Sequence, residues 1–178
     1  MKQFFTTKRL CRAGIIAALY AALTYAFAPF AFGPLQLRPA EALCILAAFF
    51  PEAIPALYIG CILSNLTSPF FIYDVFIGSL ATLISAFISY MVGSFLKKEP
   101  FHFLLCGFFP ILLNALMIPL IIVFLCGDLG GYASAATAYF SFMASIAFTE
   151  TVWVYGLGAP IYFTMKRLQK NKNFNFFH

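Results

Sequence analysis

Charge is scarce in this chain: Lys, Arg, Asp and Glu make up only 10% of its 178 residues, while 63% are hydrophobic. A soluble domain of this size needs more polar surface than that, so the composition excludes one. The mean hydropathy of +0.93 points instead to an integral membrane protein. Histidine is almost missing too, with two in the chain, one of them the terminal His178. No HExxH, GxSxG, P-loop or GxGxxG occurs, and His102 stands apart from the carboxylates. The chain is therefore read as no enzyme, with no catalytic residue, no metal and no cofactor. The five cysteines form no CxxC or Cys/His pattern, and Cys44, Cys61 and Cys106 lie within apolar runs. Plain apolar packing is expected of them.

What charge there is, is unevenly placed. The net charge of +5 does not mark a nucleic-acid binder, because Lys and Arg sit at the chain ends, at Lys97-Lys98 and at Arg38. That distribution is a membrane-orientation signal. Every long apolar run exceeds the roughly 10 residues a barrel strand needs, so the spans are helices. The N-terminus is basic and then apolar like a signal peptide, but it leads into more hydrophobic sequence without a cleavage site and reads as the first span. The sequence predicts helices over 13–30, 40–50, 53–65, 74–96, 101–125 and 133–165.

The folding of residues 40–66 decides the topology. One continuous span would leave Lys97-Lys98 outside, whereas a turn at Pro51-Glu52 puts every basic cluster except Arg38 inside. The expected fold is an all-α integral membrane protein, a six-helix bundle in one domain over 1–168, with both termini cytoplasmic and a cytoplasmic tail over 169–178. Helices 2 and 3 are short, about 16–20 Å each at 1.5 Å per residue. They cannot cross a ~30 Å hydrocarbon core alone, so longer neighbours must shield them and leave a cavity at one face. Gly156-Leu-Gly158-Ala-Pro160 is expected to kink the last helix.

Ionisable and amide groups inside spans need partners or a task. Asn114 follows Lys98 by 16 residues and Glu150 precedes Lys166 by 16, which puts both about 24 Å from the inner boundary. Asp74, 23 residues before Lys97, falls at the outer interface, about 34 Å away. Arg38 and Glu41 start a helix on that side and Asn65 ends its partner there. The outer half thus gathers Arg38, Glu41, Asn65, Asp74, Asn114 and Glu150, with Trp153 and tyrosines near, as an outward-facing pocket. Structural readings stand beside this one. Arg38 and Glu41 can pair with each other, Asp74 can cap a helix, and Glu52 after Pro51 suits the positive end of a helix.

Ala13, Ala17 and Ala21 recur every four residues on the first helix, with Ala18, Ala22 and Ala26 beside them, giving a smooth strip for close helix contact within the protein or with another subunit. The run from Arg38-Pro-Ala-Glu-Ala-Leu through Pro51-Glu-Ala-Ile-Pro-Ala-Leu-Tyr-Ile-Gly-Cys to Asn65, followed by Asp74-Val-Phe-Ile-Gly-Ser-Leu-Ala-Thr-Leu, resembles the QueT-type queuosine-precursor transporter family over residues 10–167. Those proteins are substrate-binding S components of energy-coupling factor transporters. The resemblance implies a six-helix S-component fold in the cell membrane that binds its ligand from outside. It also implies a membrane coupling subunit and two ATPase subunits as partners, with Ala13, Ala17 and Ala21 docking on the coupling subunit.

For a 7-deazaguanine ligand, Glu150 would accept from the adjacent N1–H and 2-amino donors, Asn114 would add an amide contact, and Trp153 or a tyrosine would stack. An aminomethyl cation on the ligand would meet Glu41 or Asp74. Two alternatives remain: an S component for another small metabolite or vitamin, and a membrane scaffold that binds no solute. Thermal unfolding of the purified protein separates them. A solute-binding subunit is stabilised by its ligand, and a scaffold is not.

Overall fold

The computed structural model describes residues 6–32, 36–95 and 101–170, and every regular element within them is helical. The Lys97-Lys98 doublet, residues 171–178 of the tail and residues 33–35 of the first loop lie outside the described residues. Helix α1 (Thr7–Ala26) starts ahead of the expected residue 13 and stops short of 30. Pro29 explains the early stop: it has no N–H for the carbonyl four residues back, and its ring crowds that carbonyl. A single turn, α2 (Ala28–Ala31), follows.

Where the sequence predicts an α-helix over 40–50, the chain forms a 3-10 helix, Pro39–Ala48, with Pro39 at its first position. The chain turns at Pro51-Glu52 and returns as α3 (Ala53–Asn65). Helices α4 (Phe71–Phe95) and α5 (Phe101–Leu125) are both long and apolar enough to cross a membrane. The last helix, α6, runs over 135–170. Wide π turns interrupt α4 at Asp74–Gly78 and α6 at Val152–Leu157, and a third, Ile121–Leu125, ends α5. The π turn of α6 falls where the Gly-Leu-Gly-Ala-Pro run was expected to kink it, since Pro160 cannot donate to the carbonyl of residue 156.

The 3-10 helix is the axis of the fold, with residues from Pro39 to Ala47 all buried. Its 10 residues rise about 2.0 Å each, roughly 20 Å in all, which is longer than the same chain would reach as an α-helix. With three residues per turn its side chains stack in rows. One row, Ala42, Ile45 and Ala48, lies against glycines of the neighbouring helices. A Cβ at Gly158 would sit 2.4 Å from Ile45 Cδ1, and one at Gly93 would sit 2.6 Å from the Ala48 carbonyl oxygen. Another row, Glu41, Cys44 and Ala47, carries the polar groups.

One end of the bundle is fastened by polar contacts of its own. Arg12 of α1 pairs with Glu52 at 2.6 Å and lies over the Phe50 ring. Nearby, the His102 ring accepts from the Tyr162 hydroxyl at Nδ1 (2.6 Å) and donates from Nε2 to the Gly93 carbonyl (3.2 Å), tying α4, α5 and α6 together. Glu52 is therefore held by Arg12; it stands at the N-cap of α3, where a carboxylate was expected to suit the helix end, but its side chain makes no capping hydrogen bond there.

Replacing Gly93 with Ala should lower stability by about 1–3 kcal/mol, because the new methyl meets rigid backbone of the 3-10 helix. Gly14→Ala, where a Cβ meets nothing within 4 Å, is the control and should leave thermal unfolding in detergent unchanged or slightly raised.

Candidate functional site

The polar row of the 3-10 helix opens onto groups from four other segments. Tyr20, fully buried on α1, donates its hydroxyl proton to Glu41 Oε1, and the Tyr20 hydroxyl oxygen itself accepts from Arg38 Nη2 at 3.4 Å. Cys44, one 3-10 turn beyond Glu41, donates to its other oxygen at 3.2 Å. Arg38 Nη2 also reaches Asn65 Oδ1 at 3.1 Å and lies 3.7 Å from Cys61 Sγ. Asn65 in turn donates from Nδ2 to the Asp74 carbonyl at 2.8 Å. That carbonyl belongs to the first π turn, and the Asp74 carboxylate accepts from the Ser68 hydroxyl. Arg38, Glu41, Asn65 and Asp74, all expected at this end, thus form one network.

Asn114 and Glu150, expected at one depth, are in contact: Asn114 Nδ2 donates to Glu150 Oε1 at 3.2 Å. Glu150 lies just before the π turn of α6 and is 1% exposed. Its other oxygen, Oε2, has no hydrogen-bond partner in the structure. Trp153, three residues on, presents its ring edge-on to Phe27 at 6.0 Å, and its indole N–H is buried without a partner. Arg38 Nε and Gln36 Oε1 are likewise buried and unpartnered. Gln36 turns the chain through a left-handed backbone (φ 43°) just before Arg38. Buried polar atoms are nearly always satisfied, so the two donors and two acceptors left open here are what make this cluster the candidate site. Glu150 lies near enough to Glu41 and Arg38 to feel both charges, but its hydrogen bond is to Asn114 and none joins it to those two residues.

Two sequence expectations are corrected. Arg38 and Glu41 do not form a direct ion pair, because the Tyr20 hydroxyl stands between them. Cys44 and Cys61 are not plain apolar filling: Cys44 bonds Glu41, and Cys61 sulfur accepts from Thr82 at 3.4 Å and Asn65 at 3.4 Å. Even Cys106 exchanges contacts with Ser89, donating to its carbonyl at 3.6 Å. Tyr20, Cys44, Cys61 and Thr82 were missed. A usable signal existed in spacing, since Cys44 follows Glu41 by one 3-10 turn and Cys61 precedes Asn65 by one α turn. Tyr20, in an alanine-rich helix, gave no such signal.

A groove of about 500 Å³ lies toward the other end, between α1 and α3, lined by Ala13, Gly14 and Ala17 with Arg9 and Glu52. Ala21 is buried beside it at 9% exposure, so the alanine strip is partly an internal packing face.

A model of the QueT transporter family matches residues 10–167, a span that holds the whole network from Tyr20 to Trp153. The chain belongs to the QueT transporter family. No curated protein and no solved structure matches it. Membership in QueT means transport of a small substrate, which agrees with an apolar, all-helical chain carrying a buried polar cluster.

Tyr20→Phe should destabilise the protein by about 1–3 kcal/mol, since it leaves a buried carboxylate oxygen without its donor. The loss is read as a lowered unfolding temperature, and Tyr25→Phe, at an exposed hydroxyl bonded to the Leu63 carbonyl at 2.6 Å, should lower it less.

Proposed function

We propose that this QueT family member is the substrate-binding S component of an energy-coupling factor importer, and that it captures a 7-deazaguanine, such as preQ0, preQ1 or queuine, from outside the cell. In this reading the chain is a six-helix bundle in the cell membrane with both termini cytoplasmic. The observation that carries it is Glu150: a buried carboxylate held by Asn114 through one oxygen, with the other oxygen open.

A guanine-type ring offers N1–H and a 2-amino group side by side, and a carboxylate has lone pairs enough to accept both while keeping the Asn114 contact. Asn114 fixes the carboxylate in place before the ligand arrives. The open indole N–H of Trp153 supplies an in-plane donor for a ring acceptor. Arg38, Glu41, Asn65 and Asp74 form the opposite wall.

The sequence has no nucleotide-hydrolysing motif, so energy comes from partners: a membrane coupling subunit and two ATPases. Docking of the coupling subunit is assigned to α1, where Ala13 and Ala17 border the groove. Ala21 serves by letting α1 approach α3 closely, since it is buried.

Native mass spectrometry of the purified protein should detect a co-purified deazapurine. Glu150→Gln should weaken 7-deazaguanine binding about 10- to 100-fold, the worth of a hydrogen bond to a charged acceptor, and should depress uptake accordingly. Unchanged affinity in that variant would remove Glu150 from the site.

A further inference from the structure

The groove between α1 and α3 is apolar along its length and charged at one end. Arg9, Ala13 and Ala17 recur every four residues, so they stand in line on one face of α1, a line about 12 Å long, with Gly14 beside it. Pro55, Ala56 and Ile59 of α3 form the other wall of this space of about 500 Å³. Leu10 and Ile59 on its border are exposed, so the groove opens sideways onto whatever surrounds the helices. Water finds no partner along such walls, and an apolar chain fills them more favourably. The two charged groups, Arg9 and Glu52, both stand at the starts of their helices, but they are not equally free. Glu52 is paired with Arg12 at 2.6 Å. Arg9 is half-buried, has no carboxylate partner among the described residues, and belongs to a first turn without an acidic residue. Its guanidinium matches the oxygens of a phosphate, which it can hold through paired N–H groups.

We propose that this groove is a lipid site, taking an anionic glycerophospholipid with its phosphate on Arg9 and one acyl chain along Ala13, Gly14 and Ala17. The site rests on the membrane-embedded reading above, but on no property of the polar cluster. A zwitterionic lipid offers the same tail and phosphate, yet it carries its own cation beside the phosphate, so Arg9 adds less for it. A coupling subunit docked on Ala13 and Ala17 needs the same space. Lipid and subunit therefore exclude each other.

The test is native mass spectrometry of the purified full chain in detergent, with phosphatidylglycerol and phosphatidylcholine of identical acyl chains added in equal amounts. The chain should retain phosphatidylglycerol about fivefold more than phosphatidylcholine, the contribution of one basic residue at a lipid surface. Arg9→Gln should bring the two to equal retention. Arg167→Gln, which removes an exposed charge outside the groove, should leave the preference in place. Gly14→Leu adds a side chain where a Cβ meets nothing within 4 Å, and by filling the groove it should cost the chain both lipids. Equal or no retention of the two lipids by the unaltered chain, an equal loss in Arg9→Gln and Arg167→Gln, or unchanged retention in Gly14→Leu each overturns the site. None of these measurements uses a deazaguanine, so failure here leaves the substrate reading standing, and failure of the substrate reading leaves this site standing.

Discussion

Because Pro39–Ala48 winds with three residues per turn, its side chains fall into straight rows, and each row has a different kind of neighbour. The row through Ala42, Ile45 and Ala48 is small enough, and faces glycines closely enough, for α4 and α6 to press against the axis. The row through Glu41 and Cys44 is thereby aimed into the space those helices leave. Had the same segment been α-helical, positions three apart would drift around the axis, and Cys44 would not stand directly over Glu41. The glycine contacts and the polar row are two sides of one geometric choice.

That choice sets a hard electrostatic condition. Four ionisable side chains are 5% exposed or less at one end of the bundle. Burying them is tolerable only where neighbouring hydroxyls, thiols and amides take up their hydrogen-bonding capacity. Tyr20, Cys44, Ser68, Asn65 and Asn114 do this for Glu41, Asp74, Arg38 and Glu150. The π turn at Asp74–Gly78 contributes as well, since its wider winding leaves the Asp74 carbonyl within 2.8 Å of the Asn65 amide. The atoms still open are few, and they belong to Glu150, Trp153, Arg38 and Gln36. That uneven distribution of satisfaction is what the proposed binding role of the cluster rests on.

Much of the arrangement was legible in the sequence because it follows from charge and length. Basic residues forced a turn at Pro51-Glu52, and counting residues from Lys98 and Lys166 put Asn114 level with Glu150. The family resemblance, read from the Arg38–Asn65 run and the segment after Asp74, held over the span expected. The 3-10 winding was not legible, since its apolar pattern over 10 residues is short enough to suit either helix. Nor was the role of Tyr20. A tyrosine among alanines looks like packing until the chain brings Arg38, 18 positions away, and Glu41, 21 positions away, to its hydroxyl. Hydroxyl and thiol groups carry no charge to betray them, so composition misses the residues that make buried charge affordable.

The two ends of the molecule are joined at one close contact. A Cβ at Gly60 of α3 would lie 2.9 Å from Tyr20 Cβ and 3.0 Å from the Ala17 carbonyl, so α1 and α3 touch there at backbone distance. Ala17 borders the groove on one side of that contact, and the Tyr20 hydroxyl reaches Glu41 and Arg38 on the other. The backbone between residues 17 and 20 is a single helical turn, which is too stiff to let one end shift without the other. The position of α1 on α3 therefore fixes two things at once, the floor of the groove and the donor on Glu41, and a glycine at 60 is what allows both.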